Sequence, residues 1–351
     1  MNRTLALSAA IAAGATALAA AALGTQSVDV GDAPGMTEIK INAPHHDGSL
    51  EGVVWYPANA DGRGKIIAEN GVYYGVQGRI DATLANGEYP VVVLSHGMGG
   101  HYRTMAWLAS ELADQGAIVV AVNHPNSTWG DFDLAAGMNH WTRAQDITAA
   151  LDWVTSDPMF EGHIDDSRTM AAGFSYGGWT ALSLAGVQGS HQGYLDHCAE
   201  FPTESSHCND LMSAQIQLAD ADPSLWNASY LDPRFTHITA VDPGLMWGLT
   251  DNDVPDVTAD VRLIALGDGE DRLLATNFDQ SGFADLLPNV QINRFAPANH
   301  FMFLPLCKPE GAAILEDEND DPVCTDPEGS DRAAVHDAVI DLIAADLGLQ
   351  D

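Results

Sequence analysis

The stretch AAGFSYGGWT, Ala171 to Thr180, sets Ser175 between Gly173 and Gly177, with an apolar run before it and small and apolar residues after it. Read as a strand (169–174) turning at once into a helix (176–186), it puts a serine on a sharp corner. The glycines let the backbone turn and pack closely there, and the hydroxyl is presented beside a helix N-terminus. Read as a glycine-rich turn, it holds a hydrogen-bonded serine and nothing more. The pattern G-x-S-x-G is too short to decide between these, so its surroundings must.

Those surroundings alternate. PVVVLSH (90–96) and AIVVAV (117–122) are short, continuous apolar runs, as expected for parallel strands buried on both faces. EGVVWYP (51–57) reads as an earlier strand, and 58–89, rich in Gly, Asn and Asp, as a loop excursion. Helices are expected over 103–116, stopping at Gly116, and over 139–157, with Ile147, Leu151 and Val154 on one stripe. HITAV (237–241), VRLIAL (261–266) and NVQINRF (289–295) read as strands, 277–288 and 330–348 as helices. Between 188 and 235 the rhythm breaks, with a helical piece, NDLMSAQIQLAD, inside a polar mix. The expectation is an α/β fold over residues 25–351: a doubly wound, mostly parallel sheet covered by helices, with a cap inserted at 188–235. No 20–50-residue period marks a solenoid.

Of 351 residues, 46% are hydrophobic, enough for a sizeable core. Forty-nine acidic against 14 basic side chains give a net charge of -35, which repels nucleic acid and anionic membranes. Residues 1–24 read as an export signal: Arg3, an Ala-rich apolar run, and the small-x-small site Ala22-Leu23-Gly24. No other stretch has the ~20 apolar residues that span a bilayer, so a secreted or periplasmic protein without stable membrane insertion is expected. The sequence gives no indication of oligomeric state. Cys198, Cys208, Cys307 and Cys324 suggest two disulfides in an exported chain. Three connectivities exist; Cys198–Cys208 and Cys307–Cys324 are favoured because each pair lies within one local region. A zinc set of His191, His197, Cys198, His207 and Cys208 matches no familiar spacing.

In open α/β sheets, sites form at the carboxyl ends of strands. SHGMGG (95–100) is a glycine-rich turn after one such strand; with the Ser175 corner it offers two backbone donors, the N–H groups of Met98 and Tyr176, to an oxyanion. It lacks the G-K-[ST] of a phosphate loop. His300, in FAPANHFMFL, follows the last strand in an irregular loop and is the candidate general base. The other histidines beyond the corner lie in the cap (His191, His197, His207), at a strand start (His237) or mid-helix (His336). The acid that would orient His300 is expected at Asp271, with Asp242 and Asp268 as alternatives. Met98, Trp179, Trp247, Phe301 and Met302 flank these loops as candidate substrate contacts, against a competing reading as core. The chemistry calls for no metal or cofactor.

With these loops in hand the chain resembles the α/β-hydrolases. More narrowly, it is similar to the dienelactone-hydrolase-like and platelet-activating-factor-acetylhydrolase-like bacterial esterases. VWYPA, VVVLSHGMGG, AVNHPNST, GFSYGGWTALSLAG, ANHFMFLPLC and CTDPEGSDRAAVH carry the likeness, from about residue 45 to 348. The resemblance implies a secreted serine hydrolase of small-molecule esters. Dienelactone hydrolases carry cysteine where Ser175 stands, and serine favours carboxylic ester hydrolysis. The acetylhydrolase branch places its acid at the position of Asp242, the polyester-hydrolase and dienelactone-like branches at that of Asp271. A non-catalytic binding protein on the same fold, and a peptidase or polyester hydrolase with the same triad, are the alternative readings.

Overall fold

In the computed structural model, which describes residues 27–46 and 48–349, the apolar runs form the middle of a ten-stranded sheet. The expected export segment, 1–24, lies outside the described residues. The strands are β1 (Gly35–Ala43), β2 (Gly48–Tyr56), β3 (Arg63–Ile67), β4 (Val76–Ile80), β5 (Tyr89–Ser95), β6 (Ile118–Val122), β7 (Ser127–Thr128), β8 (Asp131–Phe132), β9 (Ile164–Phe174), β10 (His237–Val241), β11 (Asp260–Leu266) and β12 (Gln291–Phe295). The helices are α1 (Ala106–Asp114), α2 (Leu134–Gly137), α3 (His140–Ser156), α4 (Tyr176–Leu184), α5 (His191–Glu200), α6 (Ser206–Ser213), α7 (Pro223–Trp226), α8 (Gly311–Glu318) and α9 (Arg332–Leu347).

Neighbours in the sheet run β12-β11-β10-β9-β5-β6-β2-β1-β4-β3, and β7 and β8 pair only with each other. The six strands from β12 to β6 are parallel; β2 joins β6 antiparallel and begins a mixed edge. Alternate residues of the central strands enter opposite cores. Val91, Val93, Ile118 and Val120 pack under α3 and α4, while Val92, Leu94, Val119 and Ala121 pack under α1 and α9. Each such side chain contributes about 1.5–3 kcal/mol when fully buried, so a sheet covered on both faces holds the fold. The buried charge on β11, Arg262, is matched by Asp346 of α9 through two hydrogen bonds.

From β5 the chain passes to β6 on one side and returns to β9 on the other, pairing Ser95 with Gly173. That reversal opens a crevice at the carboxyl ends of β5 and β9.

The edges depart from expectation. Residues 58–89 are not a plain loop: β3 and β4 pair antiparallel, and β1, also not expected, links them to β2. Half-exposed edge strands such as RGKII and VQGRI carry no continuous apolar run to betray them. The helix expected over 277–288 is absent; Gly282, at φ 74°, precedes a single 3-10 turn over Phe283–Leu286. The segment 188–235 is helical, containing α5, α6 and α7, and α6 ends at Ser213, earlier than the apolar pattern suggested.

Cys198 is bonded to Cys208 and Cys307 to Cys324, the local pairing expected. The first bond joins α5 to α6 and removes both thiols from any metal set. Replacing both Cys198 and Cys208 by Ser opens a loop with a separation of 10 residues and is expected to lower stability by about 3 kcal/mol, read as a fall in the urea midpoint.

Candidate active site

β9 ends at Phe174 and α4 begins at Tyr176, so Ser175 alone makes the corner, at φ 57° and ψ -118°. This left-handed φ is costly for a residue with a side chain. Neighbouring strands hold it: Ser175 N–H donates to Val241 O at 2.8 Å, and the Gly244 and Trp179 N–H groups donate to Ser175 O at 3.1 and 3.2 Å. The flanking glycines are steric requirements. A Cβ on Gly173 would stand 2.1 Å from Gly177 O, and one on Gly177 would stand 1.9 Å from Ser95 O.

His300 opens a 3-10 turn after β12, capped by Asn299, whose Oδ1 accepts the Phe301 N–H. Its Nδ1 donates to Asp242 Oδ2 at 3.0 Å, and its ring lies against Phe174 at 4.5 Å between centroids. Asp242 follows β10 directly and is completely buried. Its Oδ1 accepts the Leu266 N–H at 3.0 Å, and the Arg272 guanidinium stands 3.6 Å away. A carboxylate so held fixes the imidazole tautomer with Nδ1 protonated and Nε2 able to accept.

The expected partner of His300 is therefore corrected. Asp271 lies in a 3-10 turn that closes on itself, its N–H on Asp268 O, and both side chains are exposed. The residue that turns inward from this loop is Arg272, which reaches Asp242.

Ser175, Tyr176 and His300 line one cavity of about 460 Å³, with Met98, Phe132 and Phe301 among its apolar walls. Tyr194 of α5 and Ser206, His207 and Asp210 of α6 close one side, with Asp321 beside them. His207 Nδ1 meets the Tyr194 hydroxyl at 2.6 Å, and burial lowers its pKa to about 4, so the ring is neutral. Burial and the nearby Asp321 push the Asp210 carboxyl up. Three expected contacts do not reach the cavity. Trp179, one turn into α4, and Met302 are wholly in the core. Trp247 stacks on His197 at 4.3 Å and donates its Nε1–H to Leu274 O, securing α5 from outside the cavity wall.

Sequence reasoning missed the buried polar scaffold beneath the SHGMGG turn. Arg143 of α3 is buried and donates to Thr180 Oγ1 (3.1 Å), Ser127 Oγ (2.5 Å), Ser95 Oγ (3.2 Å) and His96 O. Burial lowers its pKa only to about 10, so it remains a cation at neutral pH. His96 donates from Nδ1 to Gly97 O within the turn, and burial and Arg143 hold its pKa well below the usual range. His124 links Ser95 Oγ (2.9 Å) to Asp146 Oδ2 (2.8 Å). Burial opposes the charge of Asp146, but hydrogen bonds from His124, His45 and His46 outweigh it and keep the carboxyl ionised. The signal was present: Arg143 lies one turn before Ile147, a charge on the apolar stripe of a helix. Among the described residues, His45, His46 and Asp146 also bring together donor atoms that could hold a metal ion.

Residues 70–198 match the family described as PET hydrolase-like. This stretch includes the SHGMGG turn and Ser175 but neither Asp242 nor His300. A bis(hydroxyethyl) terephthalate hydrolase of Streptomyces coelicolor is 30% identical over 103 residues, 29% of this chain and 30% of that protein. Cutinase est1 of Thermobifida alba is 32% identical over 102 residues, 28% of this chain and 31% of that protein. The matched stretch thus spans about a third of the length of these relatives. A solved ferulic acid esterase from Streptomyces cinnamoneus superposes with a TM-score of 0.55 at 16% identity, over 92% of this chain and 91% of that one. At that identity the likeness is one of fold.

Arg143→Met keeps the bulk but strands four buried acceptors. It is expected to destabilise the protein by about 3 kcal/mol and to speed amide exchange across 96–100; an unchanged urea midpoint would remove Arg143 from this supporting role.

Proposed function

We propose that this chain, an α/β-hydrolase by fold, hydrolyses carboxylic esters through Ser175, His300 and Asp242. The observation that carries the reading is the buried His300–Asp242 pair on the wall of the cavity that also holds the strained Ser175 corner. In this reading Ser175 Oγ attacks the ester carbonyl and His300 Nε2 takes its proton. Asp242 holds Nδ1–H and stabilises the imidazolium. The oxyanion accepts hydrogen bonds from two backbone donors. Tyr176 N–H is the first of α4 and has no acceptor within the helix. In the SHGMGG turn, Gly99 and Gly100 N–H are spent on Ser127 O and Gly97 O, and the Met98 N–H serves as the second donor in this reading. Collapse of the tetrahedral adduct expels the alcohol, protonated by His300. Water then attacks the acyl-enzyme with His300 as base and frees the acid.

The substrate we assign is a neutral, largely apolar ester of modest size. Met98, Phe132 and Phe301 supply apolar wall, α5 and α6 close one side, and Asp210 and Asp321 make the rim unfavourable to anions. The partial likeness to cutinases supports polyester hydrolysis as a second reading, which the wall formed by α5 and α6 disfavours. The two disulfides and the apolar N-terminal stretch support action outside the cytoplasm. No helix of the described residues is long and apolar enough to cross a membrane.

Ser175→Ala is expected to lower kcat for p-nitrophenyl butyrate at least ~10⁴-fold and to abolish fluorophosphonate labelling. Asp242→Asn should cost about 10⁴-fold in kcat with little change in KM, because the wrong tautomer is held. Asp271→Asn should stay within about twofold, since an exposed side chain touches none of the reacting groups. The opposite ranking of the two aspartates would exchange their roles, and full activity in Ser175→Ala would leave a binding protein or another nucleophile.

Across p-nitrophenyl esters, kcat/KM for acetate to hexanoate is expected to exceed that for palmitate by about tenfold or more, a difference of order 1.4 kcal/mol in transition-state binding. Equal rates on long chains or on a polyester film would favour an open cleft.

A further inference from the structure

On the far side of the Arg143 scaffold, two consecutive histidines of the β1–β2 turn reach for a single atom. His45 Nε2 lies 2.6 Å and His46 Nε2 2.8 Å from Asp146 Oδ1. Asp146 is completely buried, while the two imidazoles keep 18% and 12% of their surface in contact with solvent. The other carboxylate oxygen is held by His124, so Oδ1 is aimed at the turn by a fixed outer partner. All three donor atoms fall within 4.8 Å of one another. Hydrogen bonding alone asks one oxygen to accept two ring N–H groups from adjacent residues, although water is at hand for either ring. Two imidazole nitrogens and one carboxylate oxygen are instead the donor set of three-ligand zinc sites, and nitrogen donors select a transition metal over calcium or magnesium.

We propose that His45, His46 and Asp146 bind one zinc-class divalent cation, with water completing the tetrahedron, as a structural clamp between the β1–β2 turn and α3. Metal–ligand bonds of about 2.0–2.1 Å place tetrahedral ligands about 3.3 Å apart, so the rings retreat by roughly half an ångström. Two partly exposed side chains on a turn can do this without moving Asp146. A cavity of about 280 Å³ lies beside His45, lined also by Gln145, Thr148, Asp152 and Tyr230, and the partial exposure of both rings lets water reach the ligand set. The ion clamps rather than catalyses: it anchors Asp146, and through His124 and Ser95 the support of the SHGMGG turn. It rests on none of the residues proposed for ester hydrolysis.

The test uses tag-free protein stripped with dipicolinate, dialysed, and titrated calorimetrically with zinc chloride. One equivalent should bind, raising Tm by about 5 °C at a hundredfold excess over Kd. Cobalt(II) at the same site should give the visible bands of a tetrahedral N/O environment. His45→Ala/His46→Ala, with native far-UV circular dichroism, should lose the equivalent, the cobalt spectrum and the Tm shift. If that pair fails to fold, His45→Ala alone should weaken zinc binding at least ~10-fold. No saturable binding to the wild type, or an undiminished equivalent in the histidine variants, overturns the site.

Discussion

One steric constraint governs the rest: the backbone of α4 passes so near the end of β5 that nothing larger than hydrogen fits at Gly177. With a Cβ there, 1.9 Å from Ser95 O, the helix would have to leave the sheet. Because the helix sits so close, the corner before it must turn within one residue, and Ser175 takes a left-handed φ. The same closeness brings Val241 O to the Ser175 N–H, which sets Asp242 beside the corner, and Asp242 in turn sets His300. The candidate site is thus assembled from backbone contacts between strand ends, with side chains fitted to them afterwards.

Beneath this corner the protein does something costly. A guanidinium, two imidazoles and a carboxylate lie in the core, where isolated charges are strongly disfavoured. They are tolerated because nearly every polar atom has a partner and because desolvation keeps His96 and His124 neutral, leaving one cation and one anion among them. A half-satisfied network here would be worse than an apolar core; a satisfied one gives the SHGMGG turn a single geometry. In the proposed mechanism that rigidity serves backbone N–H groups that meet a charge appearing only transiently.

Much of this was legible in the sequence, for a physical reason. Central strands are buried on both faces, so β5 and β6 read as continuous apolar runs, and the glycines of 95–100 and 173–178 mark turns whose sterics are local. The edge strands β1, β3 and β4 are half solvated and carry no such run. The choice of aspartate is not local either. Asp242 and Asp271 both follow strands, and they are distinguished by the Leu266 N–H that captures one side chain and by a 3-10 turn that directs the other to solvent. Trp179 illustrates the same limit: its position in sequence is beside Ser175, but the face of α4 it occupies looks into the core. Arg143 on the stripe of α3 was readable as an anomaly, and its partners were not, because they come from β5, the turn after it, β7 and α4.

The bond between Cys198 and Cys208 gives the cavity a chemical history. The wall that α5 and α6 raise over Ser175 is closed by a covalent link that the chain acquires only after translation, in an oxidising setting. Two molecules of identical sequence, one matured under oxidising conditions and one kept reduced, would share the sheet and the His300–Asp242 pair and yet differ in how firmly the entrance is framed. The framing of the cavity then depends on thiol oxidation as well as on the amino-acid sequence.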